Sequence, residues 1–389
     1  MDLAFSAEDN LFRDQVRTWL SEHAPTQRRP RLGVAMREFD LAWQREQYEA
    51  GWAGVAWPVE YGGRGLSLTQ QLIWSEEYAR TGLEPIDTRF VGLAHAGPTL
   101  MARATADQRT AHLPQILRGE VVWCQGFSEP EAGSDLASLR TKAVIDGDEL
   151  VVTGQKIWTS FAHLADYQEL LVRTNPDAPK HKGITWLICD MRSAGIDIRP
   201  ITTIDGGEDF AEVFYDEVRI PLANVVGQID AGWSVAMSTL SFERGTAFTI
   251  NQVQLSSSVE KLIGVARTRR SVNGRPAIAD ESIAHRLAKA RADCAALRAL
   301  TYLGISNNAR SSEPGPEGSM LKLQYADLAQ RVYRLALDVI GPRALGLSDD
   351  DEESYWGERQ LVAYSASIGG GTSEIQRNII AERVLGLPR

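Results

Sequence analysis

Three stretches and one isolated carboxylate hold the side chains best suited to chemistry. The first stretch is Trp123-Cys124-Gln125-Gly126-Phe127-Ser128-Glu129-Pro130-Glu131-Ala132-Gly133-Ser134-Asp135, an apolar strand running into a small-residue turn with hydroxyls at 128 and 134. Backbone amides and hydroxyls in such a turn suit a phosphate or the edge of a heteroaromatic ring. An ordinary turn has the same composition. The second is Gly154-Gln155-Lys156-Ile157-Trp158-Thr159-Ser160. A tryptophan followed by two hydroxyl residues at a strand end can stack on and hydrogen-bond to a flat ring system, or simply fill a core. The third is Ile368-Gly369-Gly370-Gly371-Thr372-Ser373-Glu374-Ile375-Gln376-Arg377. Its glycines permit positive φ and close approach of a ligand. Ser373 and Gln376 form an S-x-x-Q capping box, so a helix begins there. A glycine loop opening a helix is either an anion site or a tight inter-helix turn. The carboxylate is Glu243, which falls on an apolar helical stripe at Leu240, Ala247 and Ile250. Burial raises a carboxyl pKa toward neutrality, as a general base requires. A buried ion pair with an arginine is the structural alternative.

The elements that must position these residues change character along the chain. Residues 1–118 carry helical periodicity. It begins at a Ser6-x-x-Asp9 capping box and continues through Leu11, Phe12, Val16, Trp19 and Leu20. Further helices are predicted from Asp40 to Gly51, over Ser67–Ala79, Ile86–Ala104 and Asp107–Leu117, with a Gly/Pro loop at Val55–Leu66. Ala143–Ile145 and Leu150–Thr153 flank Asp146-Gly147-Asp148, a hairpin signal. Strands are predicted at Glu169–Arg173, Gly183–Asp190, Ile196–Ile201 and Ala211–Ile220, without intervening helices, which suggests an antiparallel barrel or sandwich. From Ala231 onward the period is helical again. The expected fold is therefore mainly α with a β middle domain. It divides into a helical domain at 1–118, a β domain at 119–222 and a helical bundle at 223–389.

Composition narrows the function classes. The 389 residues, 43% hydrophobic and 24% charged, suffice for a large core without disulfides. The net charge of −10 provides no global field for nucleic acid. Cys124, Cys189 and Cys294 are far apart and read as reduced core thiols of a cytoplasmic protein. The first fifteen residues lack a basic segment followed by an apolar one, so no signal peptide is expected, and no apolar run is long enough to span a membrane. There is no GxSxG, HExxH or Walker A sequence, and Gly63-Arg64-Gly65 lacks the third glycine and the βαβ frame of a dinucleotide fingerprint. The six histidines are scattered, so no metal is expected, and His95 reads as a core histidine. Difficult chemistry in such a chain requires an organic cofactor.

The order and wording of the three stretches, together with Glu60-Tyr61-Gly62-Gly63, resemble the acyl-CoA dehydrogenase family. The resemblance covers nearly the whole chain. It implies a helical N-domain, a β middle domain, a C-terminal four-helix bundle and FAD as cofactor. It implies that Gln125, Phe127, Ser128, Gly133 and Ser134 lie along the flavin ring and pyrophosphate. Ser128 matches the hydroxyl at the ring, and Ser134 the one near the cofactor and CoA phosphates. Trp158, Thr159 and Ser160 match the segment flanking the ring, with Ser160 near its reactive nitrogen. Thr372 and Glu374 match positions that contact FAD. The implied reaction is α,β-dehydrogenation of an acyl-CoA thioester to a trans-2-enoyl-CoA, in fatty-acid or sterol side-chain catabolism, with electron-transfer flavoprotein or a similar acceptor. A tetramer, a dimer of dimers, is implied.

Two departures from the family pattern matter. Much of the family carries its catalytic glutamate immediately before Gly-Thr-Ser, where this chain has Gly370. The isovaleryl-type and long-chain-type branches carry it at the helix position matched by Glu243-Arg244. The resemblance therefore assigns the base to Glu243 and a substrate-site arginine to Arg244, while the backbone N–H of Gly370 remains able to bind the thioester oxygen. The stretches Arg269-Arg270-Ser271-Val272-Asn273-Gly274 and Asp338-Val339-Ile340-Gly341-Pro342 lack the phenylalanine, glutamine and one glycine with which family members complete a neighbour's FAD site. Similar departures occur in bacterial members built from two different subunits, some acting on sterol side chains, so homo- and hetero-oligomers both remain open. Two other readings stand beside this one: a non-catalytic subunit, and a flavin oxidase or monooxygenase of the same fold.

Overall fold

The computed structural model describes residues 5–83, 87–242, 247–270, 274–308, 316–345 and 352–388. Helices α1 (Ala7–His23), α2 (Gly33–Glu49), α3 (Leu68–Arg80), α4 (Gly97–Arg103) and α5 (Ala106–Leu117) come first. Strands β1 (Trp123–Gly126), β2 (Lys142–Asp146), β3 (Glu149–Ser160), β4 (Tyr167–Arg173), β5 (Ile184–Asp190), β6 (Ile196–Ile201), β7 (Phe210–Pro221) and β8 (Val225–Val226) follow. Then come α6 (Gly232–Phe242), α7 (Ala247–Thr268), α8 (Glu281–Asn308), α9 (Glu317–Ile340), α10 (Glu352–Val362) and α11 (Ser373–Ile379).

These elements form two compact units. The first comprises Met1–Ser21, Leu68–Pro85 and Arg244–Arg389. Its core is Leu255, Val259 and Leu262 of α7 with Leu287 and Leu297 of α8 and Leu328, Val332 and Leu335 of α9. Arg13 and Arg17 of α1 reach the buried Glu77 of α3, at 2.7 and 3.0 Å, so these distant segments join one unit through paired charges. The Ser6–Asp9 capping box forms as expected, each residue accepting from the other's backbone N–H at 3.0 Å.

The second unit comprises Glu22–Ser67 and Ile86–Glu243. It is built on one eight-stranded sheet in the order β6-β7-β3-β2-β4-β5-β8, with β1 paired to β4. The sheet is antiparallel except where β4 meets β1 and β2, which run parallel to it. β4 is buried along its whole middle, reading Gln-Glu-Leu-Leu-Val, and Trp123 and Trp186 are fully buried in the same core as Trp57. Fully burying an aliphatic side chain such as Leu170, Leu171 or Val172 of β4 contributes about 1.5–3 kcal/mol.

The predicted helices are displaced at their ends. α2 begins at Gly33, not Asp40, because Met36 is needed in the core and packs on Phe161 and Leu164. The Ile86–Ala104 segment contains a π-helical turn at Val91–Ala96 ahead of α4. In α6 the buried face is Val235, Ala236 and Thr239, and Leu240 and Ile250 of the expected stripe are only half-buried. The hydroxyl of Thr239, 2.9 Å from that of Thr99, shows that this face takes polar contacts.

Candidate active site

Trp158, Thr159 and Ser160 of the expected site lie where β3 ends. Period-2 alternation from Leu150 and Val152 carries Gly154 and Lys156 inward. Gly154 must be glycine, since a Cβ there would lie 2.7 Å from Thr141 Cα. After Lys156 the pairing of β3 with β7 slips by a β-bulge, so Thr159 faces Ala211 and Ser160 faces Phe210. Trp158 takes φ of +58° inside the bulge and Phe161 takes +56° just after it. Such values are unusual for bulky residues, cost about 1–3 kcal/mol each and cluster at functional sites. A bulge re-aims side chains. Here it turns Trp158 outward, 56% exposed, with its ring edge-on to Phe210, while Thr159 is fully buried. The Thr159 hydroxyl oxygen has no hydrogen-bond partner among the described residues.

The Ser128 turn is fastened to this strand end. Ile157 N–H donates to Ser128 O at 3.0 Å, and Lys156 Nζ donates to Phe127 O at 3.0 Å. Glu129 and Ala132 exchange backbone hydrogen bonds and close the turn. Gly133 and Ser134 follow it on the surface, and a Cβ at Gly133 would meet nothing within 4 Å. Phe127 is buried in the core. Gln125, the register partner of Glu169 in β4, donates to Glu169 Oε1 at 2.8 Å and lies 3.2 Å from His95 Nδ1. Its amide nitrogen is held by these two side chains.

Lys156 and Glu129 were not among the expected functional residues, although both lie inside the motifs. Their side chains are 2.8 Å apart and buried. Burial pulls the Lys156 ammonium down to about 8 against the attraction of Glu129. Burial pushes Glu129 up, but Lys156 and backbone donors outweigh it and hold the carboxyl below its ordinary value.

In the first unit the glycine loop is held by side-chain donors. Gly370 and Gly371 take φ of +63° and +89°, and a Cβ at Gly371 would lie 2.8 Å from Gln376 Nε2. Lys322 of α9, 5% exposed, donates to Ala366 O at 3.1 Å and Gly371 O at 2.7 Å. Gln376 donates to Gly370 O at 3.0 Å and Gly371 O at 3.1 Å. The expected capping box is therefore corrected. The N-cap is Thr372, whose hydroxyl accepts from Ile375 N–H at 3.3 Å, and Gln376 serves the loop rather than the cap. Glu374 is exposed and paired with Arg377, its carboxyl held low by its own backbone N–H and the Thr372 hydroxyl. Glu243 and Arg244 lie outside the described residues, as do Ser271–Asn273 of the first departing stretch. Asp338 of the second makes an exposed ion pair with Arg286.

Among the described residues no three His, Cys, Asp or Glu side chains are grouped to hold a metal ion, and no helix is long and apolar enough to cross a membrane. An open-edged sheet with an outward tryptophan and an orphan hydroxyl beside a small-residue turn is suited to a flat organic cofactor.

Comparison with known proteins agrees. The acyl-CoA dehydrogenase N-terminal, middle and C-terminal domain families match residues 6–120, 124–218 and 230–385. Acyl-CoA dehydrogenase IpdE1 of Mycobacterium tuberculosis is 39% identical over 386 residues, 97% of each chain. The solved structure described as the Tcur3481-Tcur3483 steroid ACAD is 31% identical with a TM-score of 0.89, covering 100% of both chains. The ChsE4-ChsE5 complex from Mycobacterium tuberculosis gives 32% and 0.87, again over 100% of both chains. The chain belongs to the acyl-CoA dehydrogenase family. It is an oxidoreductase acting on an acyl-CoA. The non-catalytic and oxidase readings draw no support from these relatives.

Proposed function

We propose that the chain binds FAD and converts an acyl-CoA thioester to its trans-2-enoyl form. The observation that supports this most is the bulged end of β3, where an outward Trp158 and a buried, unpartnered Thr159 hydroxyl stand beside the fastened Ser128 turn. These residues fit a flat ring with hydrogen-bonding edges. Ser128, Thr159 and Ser160, the turn amides and Trp158 would hold such a ring, and the exposed Gly133 and Ser134 would serve its phosphates. The family pattern assigns Thr372 and Glu374 to FAD as well. When bound, the flavin supplies the acceptor for the hydrogen and electron pair leaving the β-carbon.

Glu243 takes the α-proton onto its carboxylate. Arg244 orients the substrate beside it. The backbone N–H of Gly370 donates to the thioester oxygen, a contact typically worth about 2.7–4 kcal/mol in the transition state. The division into domains at 1–118, 119–222 and 223–389 belongs to the same reading. So does cytoplasmic work with electron-transfer flavoprotein or a similar acceptor. The departures at 269–274 and 338–342 favour a dimer of dimers with a second, different subunit, as in the two-component relatives, and a fatty or sterol-derived acyl group.

The test is purification alone and with a co-expressed paralogue. The expected protein is yellow and bleaches anaerobically with at least one member of a linear, branched and sterol-derived acyl-CoA panel. A flavin-free protein in both preparations, unable to take up added FAD, overturns the reading.

A further inference from the structure

Lys156 is wholly buried and Glu129 is 8% exposed, yet neither is a surface pair folded inward by accident. Every polar atom of the pair has a use. Lys156 Nζ donates to Glu129 Oε1 at 2.8 Å and to Phe127 O at 3.0 Å. Glu129 Oε1 also accepts from Thr141 N–H at 2.8 Å, and Oε2 accepts from Arg140 N–H at 2.7 Å. Three segments therefore meet at one node: the turn at 127–129, the two residues 140–141 just before β2, and β3 at 156. Thr141 closes the node a second time, its hydroxyl donating to Gln155 O at 3.2 Å.

A buried ion pair is a weak source of stability, because desolvation offsets most of the attraction, and apolar residues of similar volume often serve as well. What such a pair supplies is one defined geometry. The geometry fixed here is the one that matters to a bound ring. Two residues beyond Lys156 lies Trp158 at positive φ, and one residue before Glu129 lies Ser128. Without the node, the Ile157 N–H bond to Ser128 O and the pairing of β3 with β7 would be left to hold the turn and the bulge together.

We propose that the Lys156–Glu129 pair is the positioning device of the cofactor site, setting the Ser128 turn and the Trp158–Ser160 bulge in register so that FAD binding, rather than folding, depends on it. This rests on the FAD reading above. The pair touches neither substrate nor reacting atoms. Its work is done through the backbone of Phe127 and the end of β3.

The experiment compares wild type, Lys156→Met, Glu129→Gln and the double variant Lys156→Met/Glu129→Gln, each stripped of flavin. Each single variant leaves one buried charge or its partner uncompensated and melts well below wild type. The double variant removes both charges and keeps an acceptor at 129 for one of the two backbone N–H groups, so its thermal midpoint rises above those of the single variants while staying below wild type. FAD is then titrated back. The double variant is expected to bind at least tenfold more weakly, and its bound flavin to lose the visible circular dichroism of the wild-type complex. A double variant that folds and binds FAD with wild-type affinity and dichroism overturns the proposal. So does a double variant that cannot fold, since the pair would then be a folding determinant. If wild-type protein itself takes up no FAD, the functional reading fails instead, which keeps the two failures distinct.

Discussion

The two regions that carry the motifs are held by the same device used differently. At the end of β3 a buried lysine meets a buried carboxylate and the backbone beside it is strained, with bulky Trp158 and Phe161 at positive φ. At the glycine loop a buried lysine, Lys322, meets main-chain carbonyls, and the positive φ values fall on Gly370 and Gly371, which adopt them without penalty. Where side chains must be aimed, the chain accepts strain and fixes it with charge. Where backbone must be presented, glycine removes the strain and a buried lysine holds the loop's carbonyls. The comparison has a chemical corollary. The loop has a capped helix start and no acid or base at 370, so the proposed reaction needs its base from elsewhere, at Glu243.

The largest expected effect tests that corollary. Glu243→Gln keeps the side-chain size but cannot accept the α-proton, and a positioned base contributes about 10²–10⁴-fold. Anaerobic single-turnover bleaching should slow by that factor while acyl-CoA still binds. Bleaching at the wild-type rate would return proton transfer to the loop, to another residue or to a partner chain, and the contrast between the regions would break.

A smaller effect tests the aimed side chain. Trp158→Ala removes the exposed ring while leaving the sheet pairing intact. Aromatic contacts are worth about 0.5–1.5 kcal/mol beyond burial, so FAD should bind several-fold to tenfold more weakly, read by fluorescence titration. Unchanged affinity would make Trp158 a surface residue at an odd angle. The buried charge adds a pH signature. Lys156 is shifted below its ordinary value of 10.5 to about 8 in the folded chain. Between those values the unfolded chain binds more protons, so this group's contribution to stability rises with pH from about 8 to 10.5. The thermal midpoint of the flavin-free wild type, measured against the Lys156→Met/Glu129→Gln double variant, should therefore gain across that window. A pH-independent difference would place the ammonium in contact with water.

Much of this was legible in the residues, for local reasons. The Asp146-Gly147-Asp148 turn names its own hairpin, and β6 lies over Ile196–Ile201 as the pattern predicts, because hairpins and alternation are encoded within a few residues. The parallel pairing of β1 with β4 could not be read, since it joins Gln125 to Glu169 across 44 positions, and no local turn signal links them. The start of α2 was missed because Leu32 offers no side-chain cap and Met36 is placed by packing on Phe161. Within the site, the motif boundaries were visible but the node was not. Lys156 continues the inward alternation of Leu150 and Val152, and a lysine on an inner face was the available signal. The αL conformation of Trp158 had none, because nothing in Ile157-Trp158-Thr159 distinguishes a bulge from regular strand.

The smallest effect separates a cap from a cofactor contact in the loop. Thr372→Val keeps the shape of the side chain and removes the hydroxyl that accepts from Ile375 N–H. Loss of an N-cap typically costs about 1 kcal/mol. α11 is only two turns long, so that cost falls on a short element and should appear as a modest drop in the thermal midpoint of flavin-free protein. Lys322 and Gln376 still hold the carbonyls of Gly370 and Gly371, so the loop itself should keep its path. If Thr372 is only a cap, FAD affinity stays at the wild-type value once both proteins are folded. The reading of the loop as a cofactor contact requires more: FAD affinity should fall further than the midpoint shift accounts for, and Thr372→Ser, which restores the hydroxyl, should recover both. A variant that loses stability but binds FAD unchanged would reduce Thr372 to a helix cap, leaving Glu374 and the backbone of Gly370 as the groups of this segment still assigned to the site.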